Sequence, residues 1–98
     1  MCMLDEIQER RDEIYEIARR HKAEKLWVFG SCARKEERPD SDVDFLGSFA
    51  PHTTAFDYVR LQDALEAFLK CRTDIVDESV LKHEPRLANE VLRERIAL

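Results

Sequence analysis

Two aspartates separated by one residue, Asp42 and Asp44, are the first feature of this 98-residue sequence that could do chemistry. They lie in segment 42–46, whose residue types favour a β-strand. Because side chains alternate along a strand, both carboxylates share one face, with Cα atoms about 6.5–7 Å apart. Two-metal sites hold their ions about 3.5–4 Å apart, so the pair predicts a site for two Mg²⁺ ions.

A glycine followed by a serine marks the end of an earlier strand. Segment 25–29 is short, aromatic and branched, and it stops at Gly30, after which we expect a short helix from Ser31 to about residue 36. Gly30 lets the backbone approach a ligand closely. The free N–H groups at the start of the helix and the Ser31 hydroxyl would face an anion. This turn therefore predicts a phosphate-binding element beside the metal site.

Three further residues complete the predicted site. Asp74 lies on a predicted third strand over 73–76 and would add a carboxylate to the site if that strand lies beside the second. Alternatively, Asp74 is an edge residue that forms an ion pair with Arg72. Arg34 is a candidate phosphate contact, or else it forms surface ion pairs worth under about 1 kcal/mol each. Ser41, in the loop before Asp42, is a candidate nucleotide contact.

The elements that must position these residues follow from hydrophobic periodicity. We expect a helix over 4–21, a helix from a capping box at Thr54 and Asp57, and a last helix opening at Pro85. The sequence predicts an α/β fold in one domain over 1–98. The sheet would be small, mixed and twisted, with at least three strands, helices packed on one face and the three carboxylates on the other.

Composition narrows the class of protein. Sixteen Lys and Arg against twenty-one Asp and Glu give a net charge of −5, which suits cation binding and argues against direct nucleic-acid binding. No apolar run approaches the roughly 18 residues of a membrane span, so we expect no membrane association. Three cysteines without a C-x-x-C pair indicate free thiols in a reducing compartment, and hence a cytoplasmic protein.

Two other phosphate and metal motifs do not fit. A calcium loop starting at Asp40 would need Gly at its sixth position and Glu at its twelfth, where the sequence has Phe45 and Pro51. A P-loop starting at Gly30 would need a second glycine where Lys35 stands. The pattern therefore indicates carboxylate-held metals beside a Gly-Ser turn.

Three short motifs carry a resemblance to a known family: GSxAR at residues 30–34, PDSDVDF at 39–45 and DIV at 74–76. With these motifs, nearly the whole chain resembles the minimal nucleotidyltransferases of the DNA polymerase beta superfamily. These are the antitoxin halves of HEPN/MNT toxin–antitoxin pairs. The sequence departs from the family pattern at two positions: Lys35 replaces a frequent glycine, and Gly47 replaces a branched residue in the second strand. Neither departure removes a catalytic group.

The resemblance implies a polymerase beta-like fold and a role for each matching residue. Gly30 and Ser31 would hold the triphosphate of ATP, Asp42 and Asp44 the two Mg²⁺ ions, and Asp74 would complete the catalytic site. The implied reaction transfers AMP to a tyrosine of a HEPN ribonuclease toxin, which silences it. The implied partner is that toxin, in a hetero-oligomer.

Two alternatives stay open from the sequence. One is a non-catalytic antitoxin that silences its partner by occlusion, against which the intact set of three aspartates argues. The other is a small-molecule nucleotidyltransferase of the aminoglycoside-modifying kind. Such enzymes usually carry an additional domain for their acceptor, and we expect none in 98 residues.

Overall fold

The computed structural model, which describes residues 3–33 and 42–98, is organised around a mixed sheet. Its strands are β1 (Ala23–Phe29), β2 (Val43–Phe49), β3 (Thr73–Asp77) and β4 (Ile96–Ala97), in the order β3-β2-β1-β4. β1 is antiparallel to both β2 and β4, whereas β2 and β3 are parallel. The predicted α/β class with a small mixed sheet is confirmed, and β4 adds a short strand at one edge.

Helices connect the strands and cover the sheet. They are α1 (Met3–Glu9), α2 (Arg11–Arg20), α3 (Gly30–Ala33), α4 (Ala55–Leu69) and α5 (Pro85–Glu94), with a 3₁₀ helix at Glu78–His83. None of the helices in the described ranges is long and apolar enough to cross a lipid bilayer.

The single helix predicted over 4–21 is wrong, because the structure divides it at Arg10. Leu4 and Ile7 of α1 are buried in the same core as Ile14 and Ala18 of α2. These positions keep one apolar stripe across the break, so their spacing does not reveal it.

The main core lies between one face of the sheet and helices α1, α2 and α4. Val28 of β1 and Phe45 of β2 are fully buried there, together with Leu61 and Leu65 of α4. The predicted start of α4 is confirmed, since the Asp57 carboxylate accepts a hydrogen bond of 2.9 Å from the Thr54 backbone N–H. This layer matches the expectation of helices packed on one face.

A second, smaller core adds helices to the opposite face, which we call the carboxylate face because Asp44 lies on it. This core contains Leu46 of β2, Leu81 of the 3₁₀ helix and Val91 of α5, and Trp27 of β1 packs against them. These apolar side chains would otherwise be exposed to water, so α5 and the 3₁₀ helix cover them. Helices therefore lie on both faces of the sheet, whereas the sequence-based expectation placed them on one face and the carboxylates on the other.

Candidate active site

The three predicted catalytic carboxylates lie at neighbouring positions of two parallel strands. Asp44 of β2 and Asp74 of β3 are register partners, and Asp42 immediately precedes β2. Adjacent strands lie about 4.8 Å apart, and side chains alternate along each strand, so all three residues belong to the carboxylate face. Asp42 and Asp74 are exposed, whereas Asp44 is half-buried. The condition set for Asp74, that its strand lies beside the second strand, is therefore met by the parallel pairing of β2 and β3.

The donor types suit Mg²⁺, which prefers carboxylate oxygens. In residues 3–33 and 42–98, however, no three His, Cys, Asp or Glu side chains are gathered closely enough to hold a metal ion. The aspartates therefore share a face without forming a closed ligand set. Asp42 and Asp74 are exposed and can change rotamer without disturbing the core, so the residues fit a metal site that would form on ion binding.

Gly30 places the predicted phosphate turn directly against Asp44. Its φ is +74°, in the left-handed region, and an added Cβ would lie 2.5 Å from the Oδ2 atom of Asp44. The preceding residue, Phe29, is the register partner of Asp44 on the antiparallel strand. Both the backbone conformation and the close approach to Asp44 therefore require glycine.

The other predicted nucleotide contacts cannot be placed. Ser31 belongs to the short helix α3, but its side chain lies outside the described part of the structure, as do the whole of Arg34 and Ser41.

A cavity of about 300 Å³ opens beside Gly30 and Asp44. Its remaining lining comes from Phe29 of β1 and from one side of α5, namely Leu87, Glu90, Val91 and Glu94. The two glutamates were missed by reasoning from the sequence. They stand at i+3 and i+7 from Leu87, on the side of the helix that borders the cavity, and that spacing was the available signal.

A larger cavity of about 500 Å³ lies elsewhere on the surface, between Ser48, Asp77 and Leu92. It contains none of the predicted site residues. Because phosphate chemistry needs the glycine turn and the carboxylates together, the smaller cavity is the candidate active site.

Most of the chain is similar to proteins of one known family. The family described as "Polymerase beta, Nucleotidyltransferase" matches residues 12–98. A protein of Thermococcus cleftensis named protein adenylyltransferase MntA is 38% identical over 91 residues, which cover 85% of this chain and 90% of that protein.

Solved structures with the same fold include a protein provisionally described as a minimal nucleotidyltransferase. It is 45% identical, with a TM-score of 0.84, and the match covers 100% of this chain and 97% of that one. A second structure is a Shewanella oneidensis complex of a tri-AMPylated HEPN toxin with an MNT antitoxin. It matches with 20% identity and a TM-score of 0.68, covering 92% of this chain and 69% of that one, which shows a shared fold.

Proposed function

The chain belongs to the polymerase beta nucleotidyltransferase family, and we propose that it transfers AMP from ATP to a tyrosine hydroxyl of a HEPN-type toxin, acting as its antitoxin in a hetero-oligomer. The observation that carries this proposal is the register pairing of Asp44 with Asp74 beside the Gly30 turn. The protein adenylyltransferase name of the Thermococcus relative supports AMP as the transferred group. The Shewanella complex of an AMPylated toxin with an antitoxin of the same fold supports the class of partner.

Mg²⁺ ions held by Asp42, Asp44 and Asp74 would neutralise triphosphate charge and stabilise the attacking and leaving oxygens. In this assignment Asp42 and Asp44 would hold both ions, and Asp74 would be a further ligand to one of them. The Gly30 turn, with the Ser31 hydroxyl, holds the β- and γ-phosphates, and Arg34 and Ser41 contribute further nucleotide contacts.

The reaction is an in-line displacement at the α-phosphorus of ATP. The tyrosine oxygen forms a bond to that phosphorus, and the bond from the α-phosphorus to the oxygen bridging to the β-phosphate breaks. Pyrophosphate leaves, and Asp74 accepts the proton of the tyrosine hydroxyl. Asp74 is exposed on β3, at the edge of the sheet, so an acceptor on another protein can reach it.

The test is to incubate the purified protein with its neighbouring gene product, tested as the candidate HEPN toxin, together with Mg²⁺ and ATP labelled at the α-phosphate. The expected result is label on a toxin tyrosine with loss of ribonuclease activity, and no label in excess EDTA. Asp44→Asn should prevent labelling, whereas Asp63→Asn, a matched change at an exposed site on α4, should not. Silencing of the ribonuclease without label would establish occlusion instead. Labelling of an aminoglycoside and not of the toxin would establish the small-molecule alternative.

A further inference from the structure

The last helix turns two carboxylates toward the candidate active site. Four residues of α5 line the cavity beside Gly30 and Asp44. They follow the i, i+3, i+4, i+7 spacing of neighbouring positions on a helix, and they are Leu87, Glu90, Val91 and Glu94. Val91 is only 1% exposed, and Leu87 packs against the same small core. Glu94 is half-buried beside this packed side of α5, and Glu90 is exposed at the rim of the cavity.

Neither a metal nor a phosphate explains acidic side chains at this position. The proposed function assigns the Mg²⁺ ions to Asp42, Asp44 and Asp74, so Glu90 and Glu94 are not needed as metal ligands. Phosphate oxygens are anionic and would be repelled by carboxylates. A nucleotide in this cavity is therefore oriented by charge, with its phosphates at the Gly30 turn and an uncharged part facing α5.

The part of ATP next to its phosphates is the ribose. Its 2′ and 3′ hydroxyls donate hydrogen bonds, and an ionised carboxylate is a pure acceptor, so the two are complementary. The carbon atoms of the sugar ring would lie over the apolar side chains of Phe29, Leu87 and Val91, which form the rest of the lining.

We propose that Glu90 accepts hydrogen bonds from the ribose hydroxyls of ATP, so that α5 selects ribonucleotides over deoxynucleotides. The inference rests on the proposed function, because it places ATP in this cavity. Glu90 is exposed at the rim of the cavity and its carboxylate is accessible to a ligand. Glu94 is half-buried and already interacts within the fold, so Glu90 is the residue assigned to the sugar.

The test compares the binding of ATP and 2′,3′-dideoxy-ATP, each with Mg²⁺, by calorimetry. Wild type should bind ATP about tenfold or more tightly than the dideoxy analogue, the ratio expected for a hydrogen bond to a charged group. Glu90→Ala should lose this preference by weakening ATP binding alone. Asp63→Ala, an exposed acidic residue on α4, should keep the wild-type ratio.

The outcomes separate this inference from the proposed function. Equal affinity of wild type for both nucleotides would overturn the assignment of Glu90, and so would a Glu90→Ala variant that weakens both ligands equally. Neither result would contradict AMP transfer to the toxin, because that transfer is measured in a separate experiment. Conversely, a wild-type protein that discriminates between the two sugars but transfers no AMP would support the inference and contradict the proposed function.

Discussion

Asp44 and Asp74 are register partners on adjacent parallel strands, so two negative charges lie side by side on the carboxylate face. At about 5 Å and an effective dielectric near 20, such a pair repels by about 3 kcal/mol, and less where water screens the exposed Asp74. A purely structural sheet gains nothing from like charges directly opposite each other. The Mg²⁺ ions of the proposed function would offset this repulsion.

The first prediction concerns Asp74. Asp74→Asn should abolish AMP transfer while leaving the free energy of unfolding in chelator unchanged or higher, because one of two repelling charges is removed from an exposed position. The measurements are thermal melts in EDTA and transfer rates with Mg²⁺. A variant that melts well below wild type and still transfers AMP would contradict the catalytic assignment and indicate a structural ion pair.

The second prediction compares the two glycines of the chain. Gly30→Ala should destabilise the fold by about 1 kcal/mol or more, because φ is +74° and the new Cβ would meet Asp44. It should also weaken nucleotide binding, since Asp44 must move. The free energy of unfolding and the affinity for ATP with Mg²⁺ are the two quantities to measure.

Gly47→Ala is the matched control for that experiment. A Cβ at Gly47 would lie 2.5 Å from the ring of Phe49, whose side chain must shift, so a loss of about 1–3 kcal/mol is expected. This glycine makes room for Phe49, which explains the unusual residue in the second strand. Gly47→Ala should retain AMP transfer per folded molecule. If both variants lost nucleotide binding in proportion to stability alone, Gly30 would have no specific part in the site.

Local patterns predicted most of the elements that hold the site. Some features depend on only a few neighbouring residues, which the sequence displays directly. They include the end of β1 at Gly30, the capping box at Thr54 and the alternation of side chains through Asp44. The placement of Asp74 beside Asp44 is different. It depends on which strands pair and in what register, and strand pairing is non-local, so the sequence alone left it conditional.

Two features that the sequence did not predict, β4 and the packing of α5, also depend on contacts between residues that are distant in the chain. β4 contains only Ile96 and Ala97, too few residues for an alternating pattern. The approach of α5 to the carboxylate face depends on apolar residues such as Leu46 that are remote in the chain. Without that packing, Glu90 is indistinguishable from a solvated helix residue.

A third prediction follows from the charge at Asp57. Hydrogen bonds from the Thr54 backbone N–H at 2.9 Å and from the Lys22 Nζ at 3.1 Å lower the pKa of Asp57 from 3.8 to about 2. The folded state thus protonates at a lower pH than the unfolded state. The stabilising contribution is complete above pH 4 and is lost as the pH falls from about 4 to about 2.

Denaturant unfolding at a series of acidic pH values measures this loss. Asp57→Asn should flatten the dependence of unfolding free energy on pH within that window. Lys22→Met removes the weaker of the two main causes, so it should shift the transition upward in pH without abolishing it. An acid transition identical in wild type and Asp57→Asn would show that another group controls stability there.

The last prediction concerns the contact that ties β3 to α4. The Tyr58 hydroxyl donates a hydrogen bond of 2.5 Å to one carboxylate oxygen of Asp77, whose other oxygen accepts from the Ser79 backbone N–H at 3.1 Å. The Tyr58 ring also packs edge-on against Phe49, with centroids 4.5 Å apart. Burial, followed by the hydrogen bond to Asp77, raises the pKa of Tyr58 from 10.0 to about 12.

Because the folded pKa is raised, this contribution to stability is complete below pH 10 and is lost as the pH rises from about 10 to about 12. Tyr58→Phe should lower the free energy of unfolding at neutral pH by about 1–2 kcal/mol, since it leaves one carboxylate oxygen of Asp77 without its donor. Phenolate absorbance should show the late titration in wild type and its absence in Tyr58→Phe. Asp77→Asn keeps an oxygen acceptor without the charge, so it should move the Tyr58 transition back toward pH 10. If that transition stayed near 12 in Asp77→Asn, burial alone would account for the raised pKa of Tyr58.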